Sequence, residues 1–200
     1  MLGMGPSDGT EPEPNSRSLA HRRRAVTHQR RQAAWLRDQL LSAMTDPPGG
    51  AFRVTRNEQG RPELLSPNKV DFSVSHTDGA VGVAAVEGGH VGFDLERDRP
   101  LGTTGDHLQR AFDRAEWDTI TSAANPRLML LRLWTMKEAL LKAIGIGLTV
   151  PLATVLAGAE RQPGLLELRA GPKLDPLGRH WRVSMLTPLP GYVGAYAVSR

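Results

Sequence analysis

Two acidic residues, Asp94 and Glu96, are separated by one position in the segment VGFDLE. On a β-strand, side chains at positions i and i+2 project from the same face. Two carboxylates on one face repel each other unless a cation or a base lies between them, and a hard ion such as Mg²⁺ takes oxygen ligands. The spacing therefore indicates a magnesium site. The alternative is an exposed strand end whose acids pair with Arg97 and Arg99.

A third acidic residue, Glu138, falls on the apolar face of a predicted helix. Its neighbours at helical spacing are Leu131, Trp134, Leu141 and Gly145. A carboxylate on such a face needs a cation, because burying it unpaired is costly. Lys142, four residues further on, could pair with it along the helix. A metal ion shared with Asp94 and Glu96 is the other candidate.

Lysine is rare in this chain, since only four of the 25 basic residues are lysines. Lys137 and Lys142 lie five residues apart, in the same segment as Glu138. If a metal ion is bound nearby, both become candidate phosphate ligands, because an ammonium group is a compact charge.

Other residues that could hold a phosphate lie near strand ends. His76 follows Ser75 at the end of a predicted strand, and Arg61 precedes Pro62 in an extended segment. Either His76 or Arg61 could have a purely structural role instead. The sequence has no P-loop, no H-E-x-x-H and no G-x-S-x-G motif, which argues against a nucleotide triphosphatase, a zinc protease and a serine hydrolase.

The composition indicates a globular protein. A chain of 200 residues with 40% hydrophobic residues supports one compact domain or two small lobes. The absence of cysteine excludes disulfides and cysteine-ligated metals. No long apolar run and no signal-like start are present, so we expect a cytoplasmic protein without a membrane span. Residues 1–16, rich in Pro, Gly, Glu and Ser, are predicted to be disordered.

Positive charge is concentrated in residues 17–37, which hold seven arginines and no acid. Such a segment is typical of an anion site for phosphates, nucleic acid or an acidic partner, or of a solvated helix face. Binding of nucleic acid is the weaker reading, because only 5% of the residues are aromatic and base stacking uses aromatic side chains. It also leaves Glu138 on an apolar face without explanation.

Hydrophobic patterning predicts the elements that position these residues. Helices are predicted at 17–44, 103–124 and 126–143, and strands near 71–75, 80–86, 90–96, 165–169, 181–186 and 192–198. The first helix should carry an apolar stripe that includes Trp35. The third should begin at an Asn125 cap followed by Pro126 and end at Gly145.

A weak internal repeat predicts the overall architecture. Gly79–Val86 and Gly191–Val198 match at five of eight positions, and each follows a Val-Ser pair and a turn. We therefore predict an α+β fold of two similar lobes, 17–97 and 98–200, which act as one unit; the alternative is a chance match between two strands of small residues. A site between two such lobes is physically reasonable.

Four segments, taken in order, resemble the motif series of 4′-phosphopantetheinyl transferases of the Sfp type. They are GRPEL (60–64), FSVSHTDG (72–79), VGFDLE (91–96) and LWTMKEALLKAIGIGL (133–148). The last is the most specific. Because the VGFDLE motif stands behind a complete first lobe, the resemblance favours the pseudo-dimeric arrangement of that type. Phe93 departs from the family, which usually has a small aliphatic residue there.

The resemblance implies an activity and a set of site residues. The family transfers 4′-phosphopantetheine from coenzyme A to a serine of an acyl or peptidyl carrier protein and releases 3′,5′-ADP. Asp94, Glu96 and Glu138 match its Mg²⁺ ligands, with Mn²⁺ as an alternative ion, and Glu138 also matches its general base. Residues that match the positions facing coenzyme A and its phosphates are Lys137, Lys142, Arg61, Pro62, Ser75, His76 and, in looser register, Arg30 or Arg31.

The resemblance also defines what we expect of the partners. We expect a monomer that binds coenzyme A and an apo-carrier protein, and neither nucleic acid nor a membrane. Lys142 and Glu138 are the expected catalytic pair. A coenzyme-A-binding protein that has kept the fold and lost the activity is the remaining alternative, although all three acidic positions are intact.

Overall fold

The structure is a computed structural model of the chain. It describes residues 16–45, 52–65, 69–99, 108–146, 150–162, 165–170, 174–175 and 180–199. The predicted disordered tail therefore lies outside the described residues, except for Ser16 at the start of the first helix.

The described part of the first half forms one long helix and five strands. In chain order they are α1 (Ser16–Met44), β1 (Val54–Arg56), β2 (Pro62–Leu64), β3 (Val70–Thr77), β4 (Ala80–Glu87) and β5 (His90–Arg97). The helix predicted at 17–44 and the three strands predicted between 71 and 96 are confirmed. Gly60 in the β1–β2 turn and Gly79 in the β3–β4 turn have positive φ angles of 83° and 80°, which glycine adopts without steric cost.

The described part of the second half forms two helices with both ends defined, one 3₁₀ turn and four strands. They are α2 (Arg114–Ser122), α3 (Pro126–Ile144), the 3₁₀ turn Leu152–Thr154, β6 (Val155–Gln162), β7 (Leu165–Ala170), β8 (Arg182–Leu186) and β9 (Tyr192–Ser199). The ends of α3 are those predicted. The Asn125 side chain accepts a hydrogen bond from the Leu128 N–H, Pro126 is the first helical residue, and Gly145 ends the helix with a φ of 94°.

One prediction for this half was wrong, and one strand was not predicted. The helix predicted at 103–124 is interrupted, because Leu108 and Gln109 are helical but residues 110–113 are not. α2 spans Arg114–Ser122. It begins there because Asp113 caps it: the Asp113 carboxylate accepts from the Glu116 N–H, and the Glu116 carboxylate accepts from the Asp113 N–H. This reciprocal capping box sets the start of α2 at Arg114. The apolar pattern of the sequence continues across that position and therefore did not indicate the start. β6 was not predicted at all.

The described strands form three antiparallel groups. β1 pairs with β2, β3 pairs with β4, and a five-stranded sheet has the order β5-β9-β8-β7-β6. β5, the last strand of the predicted first lobe, thus pairs with β9, the last strand of the predicted second lobe, with Asp94 opposite Ala195. The division of the chain near residue 97 remains a prediction.

Each of the two repeated hairpins lies against a long helix. α1 packs on β3 and β4, where Leu41, Val70 and Phe72 form a small core. α3 packs on β5, β9 and β8, where a larger core includes Met136 and Leu140. The fold is therefore α+β, as predicted. No helix in the described part of the chain has the length and apolar character needed to cross a bilayer.

Trp35 does not join the apolar stripe of α1. Its side chain is 62% exposed, whereas Leu41, further along the same helix, is completely buried. The position of Trp35 in the predicted stripe was therefore wrong. Trp35 lies six residues before Leu41, a rotation of about 240° around the helix, so the two side chains point to different sides of α1.

Gly92 allows α3 to lie directly on β5. A Cβ atom added at Gly92 would overlap the carbonyl oxygen of Ala139 and the amide nitrogen of Ala143. The two backbones are therefore in contact at this point. Because Glu138 and Lys142 lie on α3 and Asp94 lies two residues after Gly92, this close approach sets the distance between the charged groups of both elements.

Candidate active site

The three acidic residues singled out in the sequence act on one another across the contact between β5 and α3. Asp94 is buried, with 2% of its surface exposed. Burial raises the pKa of Glu138 from its usual 4.5 to about 7, and repulsion from Asp94 adds to the shift. Burial and Asp94 also raise the pKa of Glu96. Like charges held together in a poorly solvated region favour protonation or a nearby cation.

Lys142 supplies positive charge at this cluster. Its Nζ donates to the Asp94 Oδ1 at 2.6 Å and to the Ser75 Oγ at 3.0 Å. The Lys142 charge also lowers the pKa values of Glu96 and Glu138, although burial outweighs it in both. The helical pairing of Lys142 with Glu138 considered from the sequence is thus replaced by a direct bond to Asp94.

One oxygen of Asp94 has no partner. Oδ1 receives Lys142, whereas Oδ2 is buried without a hydrogen bond. An unpaired buried carboxylate oxygen beside two further carboxylates is a set of donors that suits a hard cation. Within the described residues, however, no three His, Asp or Glu side chains already converge closely enough to enclose an ion. The donor chemistry therefore fits Mg²⁺, although the carboxylates are not assembled around an ion.

A cavity of about 190 Å³ adjoins the acidic cluster. Its walls include Arg61, Pro62, Phe72, Lys142 and Gly145. It brings the GRPEL segment next to the end of α3, although the two are about 80 residues apart in the chain. Lys142 belongs to both the cavity wall and the acidic cluster, so a ligand in the cavity would lie beside the carboxylates.

Arg61 is held by protein groups on three elements. Its Nε donates to the Lys142 carbonyl at 2.8 Å, and one terminal nitrogen donates to the Asp71 carboxylate at 2.7 Å and to the Val91 carbonyl at 2.9 Å. The side chain is 12% exposed. Arg61 thus connects the start of β2 to α3 and β5. The contact of Arg61 with a phosphate remains a prediction.

His76 lies near the end of β3, and α1 contacts the same end of the strand. His76 is exposed. The Gln29 side chain donates to the Thr77 carbonyl at 2.7 Å, which brings the exposed Arg30 and Arg31 of α1 to this end of the strand. The structure therefore places Arg30, Arg31 and His76 in one region, and their binding of an anion remains a prediction.

The structure does not bring Lys137 to the cavity. Its side chain is completely buried, and its Nζ donates to the Glu116 carboxylate and to the carbonyls of Ala111 and Leu152. The ammonium also lies 5.1 Å from the centre of the Phe112 ring. Burial lowers the pKa of Lys137, and Glu116 opposes that shift. Lys137 therefore ties α3 to α2 and to the 3₁₀ turn.

We expect Lys137→Met to lower the free energy of unfolding by about 3–5 kcal/mol, because it leaves the Glu116 charge buried without a partner. Urea denaturation measures this. The double variant Lys137→Met/Glu116→Gln is the control and should recover most of the loss, since glutamine keeps an acceptor for the Asp113 N–H. Unchanged stability of Lys137→Met would contradict this structural role.

Sequence reasoning missed two acids that organise the site. Asp71 bonds both Arg61 and the Val91 N–H, and Glu116 pairs with Lys137. A signal for Asp71 was present, because Asp71, Ser73, Ser75 and Thr77 alternate with mostly apolar residues along β3. Such alternation indicates one polar face. For Glu116 there was no comparable signal, since its partner lies 21 positions away.

Comparison with known proteins assigns the chain to a family. A model of the 4′-phosphopantetheinyl transferase superfamily matches residues 90–197. This span runs from β5 to β9 and includes Asp94, Glu96, Glu138 and Lys142, and it covers more than half of the chain. The chain therefore belongs to the 4′-phosphopantetheinyl transferase superfamily. The match does not include the GRPEL and FSVSHTDG segments.

Individual relatives are similar over about half of the chain. A 4′-phosphopantetheinyl transferase of Bacillus subtilis is 34% identical over 110 residues, which are 54% of this chain and 46% of the relative. An L-aminoadipate-semialdehyde dehydrogenase-phosphopantetheinyl transferase of Schizosaccharomyces pombe is 29% identical over 126 residues, 55% of this chain and 49% of the relative. The chain thus spans about half the length of these curated relatives.

Among solved structures, the holo-[acyl-carrier-protein] synthase from Neisseria meningitidis is similar with a TM-score of 0.46 and 22% sequence identity. The similarity covers 56% of this chain and 97% of that protein.

Proposed function

We propose that the chain transfers 4′-phosphopantetheine from coenzyme A to a serine hydroxyl of an acyl or peptidyl carrier protein and releases 3′,5′-ADP. The observation that carries the proposal is the position of Lys142, which lines the cavity and also bonds Asp94 in the acidic cluster. A pyrophosphate next to Lys142 would lie beside this ammonium group and close to the carboxylates of the acidic cluster.

Two side chains of the chain take up the serine proton and stabilise the negative charge on the phosphate. The serine oxygen attacks the β-phosphorus of the pyrophosphate, a new P–O bond forms, and the bond to the 3′,5′-ADP oxygen breaks. Glu138 accepts the serine proton, directly or through water, because a base with a pKa near 7 is best matched to neutral pH. Lys142 stabilises the negative charge that develops on the phosphate oxygens.

Asp94, Glu96 and Glu138 are the residues that would hold Mg²⁺, or Mn²⁺ in its place. The unpaired Oδ2 of Asp94 and the raised pKa values of the two glutamates support this assignment. When bound, the ion would neutralise charge on the pyrophosphate.

Coenzyme A would lie along the cavity and the end of β3. Pro62 lines the cavity, and His76 lies near the α1 segment that carries Arg30 and Arg31. We assign Arg31 and His76 to the phosphates of coenzyme A, with Arg61 at the cavity wall. We further propose a cytoplasmic monomer whose other substrate is an acidic carrier protein, which the arginines of residues 17–37 attract.

Release of 3′,5′-ADP tests the proposed function. The chain is incubated with coenzyme A, Mg²⁺ and a panel of apo-carrier proteins, and the nucleotide product is separated by chromatography. We expect 3′,5′-ADP only when both Mg²⁺ and an apo-carrier are present. Binding of coenzyme A without product from any carrier would show a binding protein that has lost the activity.

We expect Lys142→Ala to lower kcat by about 10²–10³-fold, because it removes a positive charge aimed at developing charge in the transition state. Binding of coenzyme A should weaken far less. Single-turnover kinetics and calorimetry measure the two effects separately. Lys69→Ala is the matched control, since Lys69 is exposed and lies outside the acidic cluster. A changed binding constant with an unchanged single-turnover rate would contradict the assignment.

The raised pKa of Glu138 predicts how stability depends on pH. The folded state binds this proton more tightly than the unfolded state, so stability falls as pH rises from about 4.5 to about 7 in protein kept free of divalent ions. Melting temperatures in a chelator measure this. Glu138→Gln should remove that part of the fall, and Mg²⁺ should reduce it in the parent protein. Parallel curves for the parent and Glu138→Gln would contradict the shift.

A further inference from the structure

β3 and β5 lie side by side but belong to different sheets in the described chain. Side chains of β3 take the place of a backbone ladder: every second residue accepts a hydrogen bond from a backbone N–H of β5. The pairs are Asp71 with Val91 (2.8 Å), Ser73 with Phe93 (2.9 Å), Ser75 with Leu95 (3.3 Å) and Thr77 with Arg97 (3.4 Å). We call this row of four side chains the β3–β5 joint.

Ser75 differs from its neighbour Ser73 in the joint. Besides accepting from the Leu95 N–H, its hydroxyl accepts from the Lys142 Nζ at 3.0 Å and donates to the Asp94 Oδ1 at 2.9 Å. A serine hydroxyl offers one donor and two acceptor positions. All three are taken by protein groups, and Ser75 is buried, with 3% of its surface exposed.

The three bonds of Ser75 restrict the orientation of the Asp94 carboxylate. Ser75 and Lys142 both bind Oδ1 of Asp94, so they fix the rotation of the carboxylate and leave Oδ2 without a partner. The backbone bond to Leu95 anchors the hydroxyl to β5, the strand that carries Asp94. Ser75 therefore connects the strand, the carboxylate and the lysine of α3 through one oxygen atom.

We propose that Ser75 is a positioning residue for the transfer reaction, which orients the Asp94 carboxylate and the Lys142 ammonium relative to each other. This inference rests on the proposed function and deepens it. It is a different role from the contact with coenzyme A implied by resemblance, because the groups that the hydroxyl binds here are Leu95, Lys142 and Asp94.

Ser73 provides a matched control. It is buried on the same face of β3, and its Oγ accepts from the Phe93 N–H at 2.9 Å. Ser73→Ala removes one acceptor from the joint, as Ser75→Ala does. Only Ser75→Ala also removes contacts to Asp94 and Lys142, so a difference between the two variants in turnover reports on positioning.

The test compares the two alanine variants at a temperature at which circular dichroism shows each fully folded. We expect Ser75→Ala to lower kcat by about 10–100-fold, as the loss of a group that orients a ligating side chain typically does. Its KM for coenzyme A should change by less than about threefold, since the contacts that bind the substrate before the reaction remain. Ser73→Ala should lower kcat clearly less than Ser75→Ala does, because the Ser73 hydroxyl bonds the Phe93 N–H and neither Asp94 nor Lys142, although Ser73 also lines the cavity.

Two outcomes would overturn the proposal. A raised KM for coenzyme A in Ser75→Ala with an unchanged kcat would mean that Ser75 binds the substrate directly. An equal loss of kcat in both variants would mean that the joint matters only as structure. Should either alanine variant fail to fold, Ser75→Cys and Ser73→Cys replace them, because a thiol fills similar space and is only a weak donor and acceptor.

A crystal structure of Ser75→Ala gives a readout that does not depend on activity. We expect the Lys142 Nζ and Asp94 Oδ1 to separate beyond about 3.5 Å, the outer limit of a hydrogen bond. An unchanged pair in the variant would show that Ser75 does not position it. If the parent chain itself transfers nothing, the proposed function fails, and this structural comparison still decides whether Ser75 sets the arrangement.

Discussion

Asp94→Ala should reduce the proposed transfer of phosphopantetheine by about 10³-fold or more, because several charged groups of the site depend on this one carboxylate. Its Oδ1 binds Lys142 and Ser75, and its Oδ2 is the unpaired oxygen assigned to the metal ion. Added Mg²⁺ should rescue little, since the ligand itself is missing. Steady-state rates with coenzyme A and a carrier protein measure the effect.

Asp78→Ala is the control for that substitution. Asp78 is also acidic and lies close to the same strands, but it is exposed and pairs with Arg97. We expect its activity to remain within about twofold of the parent, as for surface substitutions away from a site. Normal turnover by Asp94→Ala would overturn the assignment of the acidic cluster as the catalytic centre.

Gly92→Ala should damage both stability and activity. The added methyl group would overlap backbone atoms of Ala139 and Ala143, so α3 must move away from β5. Overpacking in a close-packed interior typically costs about 1–3 kcal/mol and can cost more, and rigid backbone on the facing side places this site at the upper end. A displacement of about 1 Å between catalytic groups can cost about 10²-fold in rate.

Gly194→Ala tests whether that effect is specific. Gly194 lies on β9 opposite Leu95, and a Cβ atom there would be 3.4 Å from its nearest neighbour, the Asp94 carbonyl oxygen. That distance is an ordinary van der Waals contact, so this variant should remain stable and active. Urea denaturation and turnover of the two variants are compared directly. Equal tolerance of both substitutions would contradict the close contact of α3 with β5.

Local signals in the sequence predicted much of the fold. The long run without Gly or Pro gave α1, the cap at Asn125 and the glycine at 145 gave both ends of α3, and the valine-rich segments gave β3, β4 and β5. Each of these depends on residues close together in the chain. The start of α2 was missed because the capping pair Asp113 and Glu116 lies within a longer stretch that has a helical pattern.

The site could be predicted only in part. The three acids and Lys142 were singled out from spacing and resemblance, and the structure brings them to one region. The alternation along β3 marks Asp71 and Ser75 as parts of one polar face, but their partners on β5 and α3 could not be predicted, because tertiary packing sets them.

Helical geometry alone argues against the prediction that Lys137 and Lys142 both face the phosphates of coenzyme A. Five residues along an α-helix correspond to a rotation of about 140°, so Lys137 and Lys142 point to different sides. One side of α3 faces the cavity, and the other faces α2, where Glu116 receives Lys137. The two lysines therefore could not both face one pyrophosphate while the helix stays in place.

The central claim is that this chain moves phosphopantetheine to a carrier serine, and intact-protein mass spectrometry tests it most directly. An apo-carrier protein is incubated with the chain, coenzyme A and Mg²⁺, beside the same carrier with its acceptor serine replaced by alanine. We predict that the unmodified carrier gains the mass of one phosphopantetheine group and that the alanine carrier gains none. If no apo-carrier from fatty acid, polyketide or peptide synthesis gains that mass, the claim is contradicted.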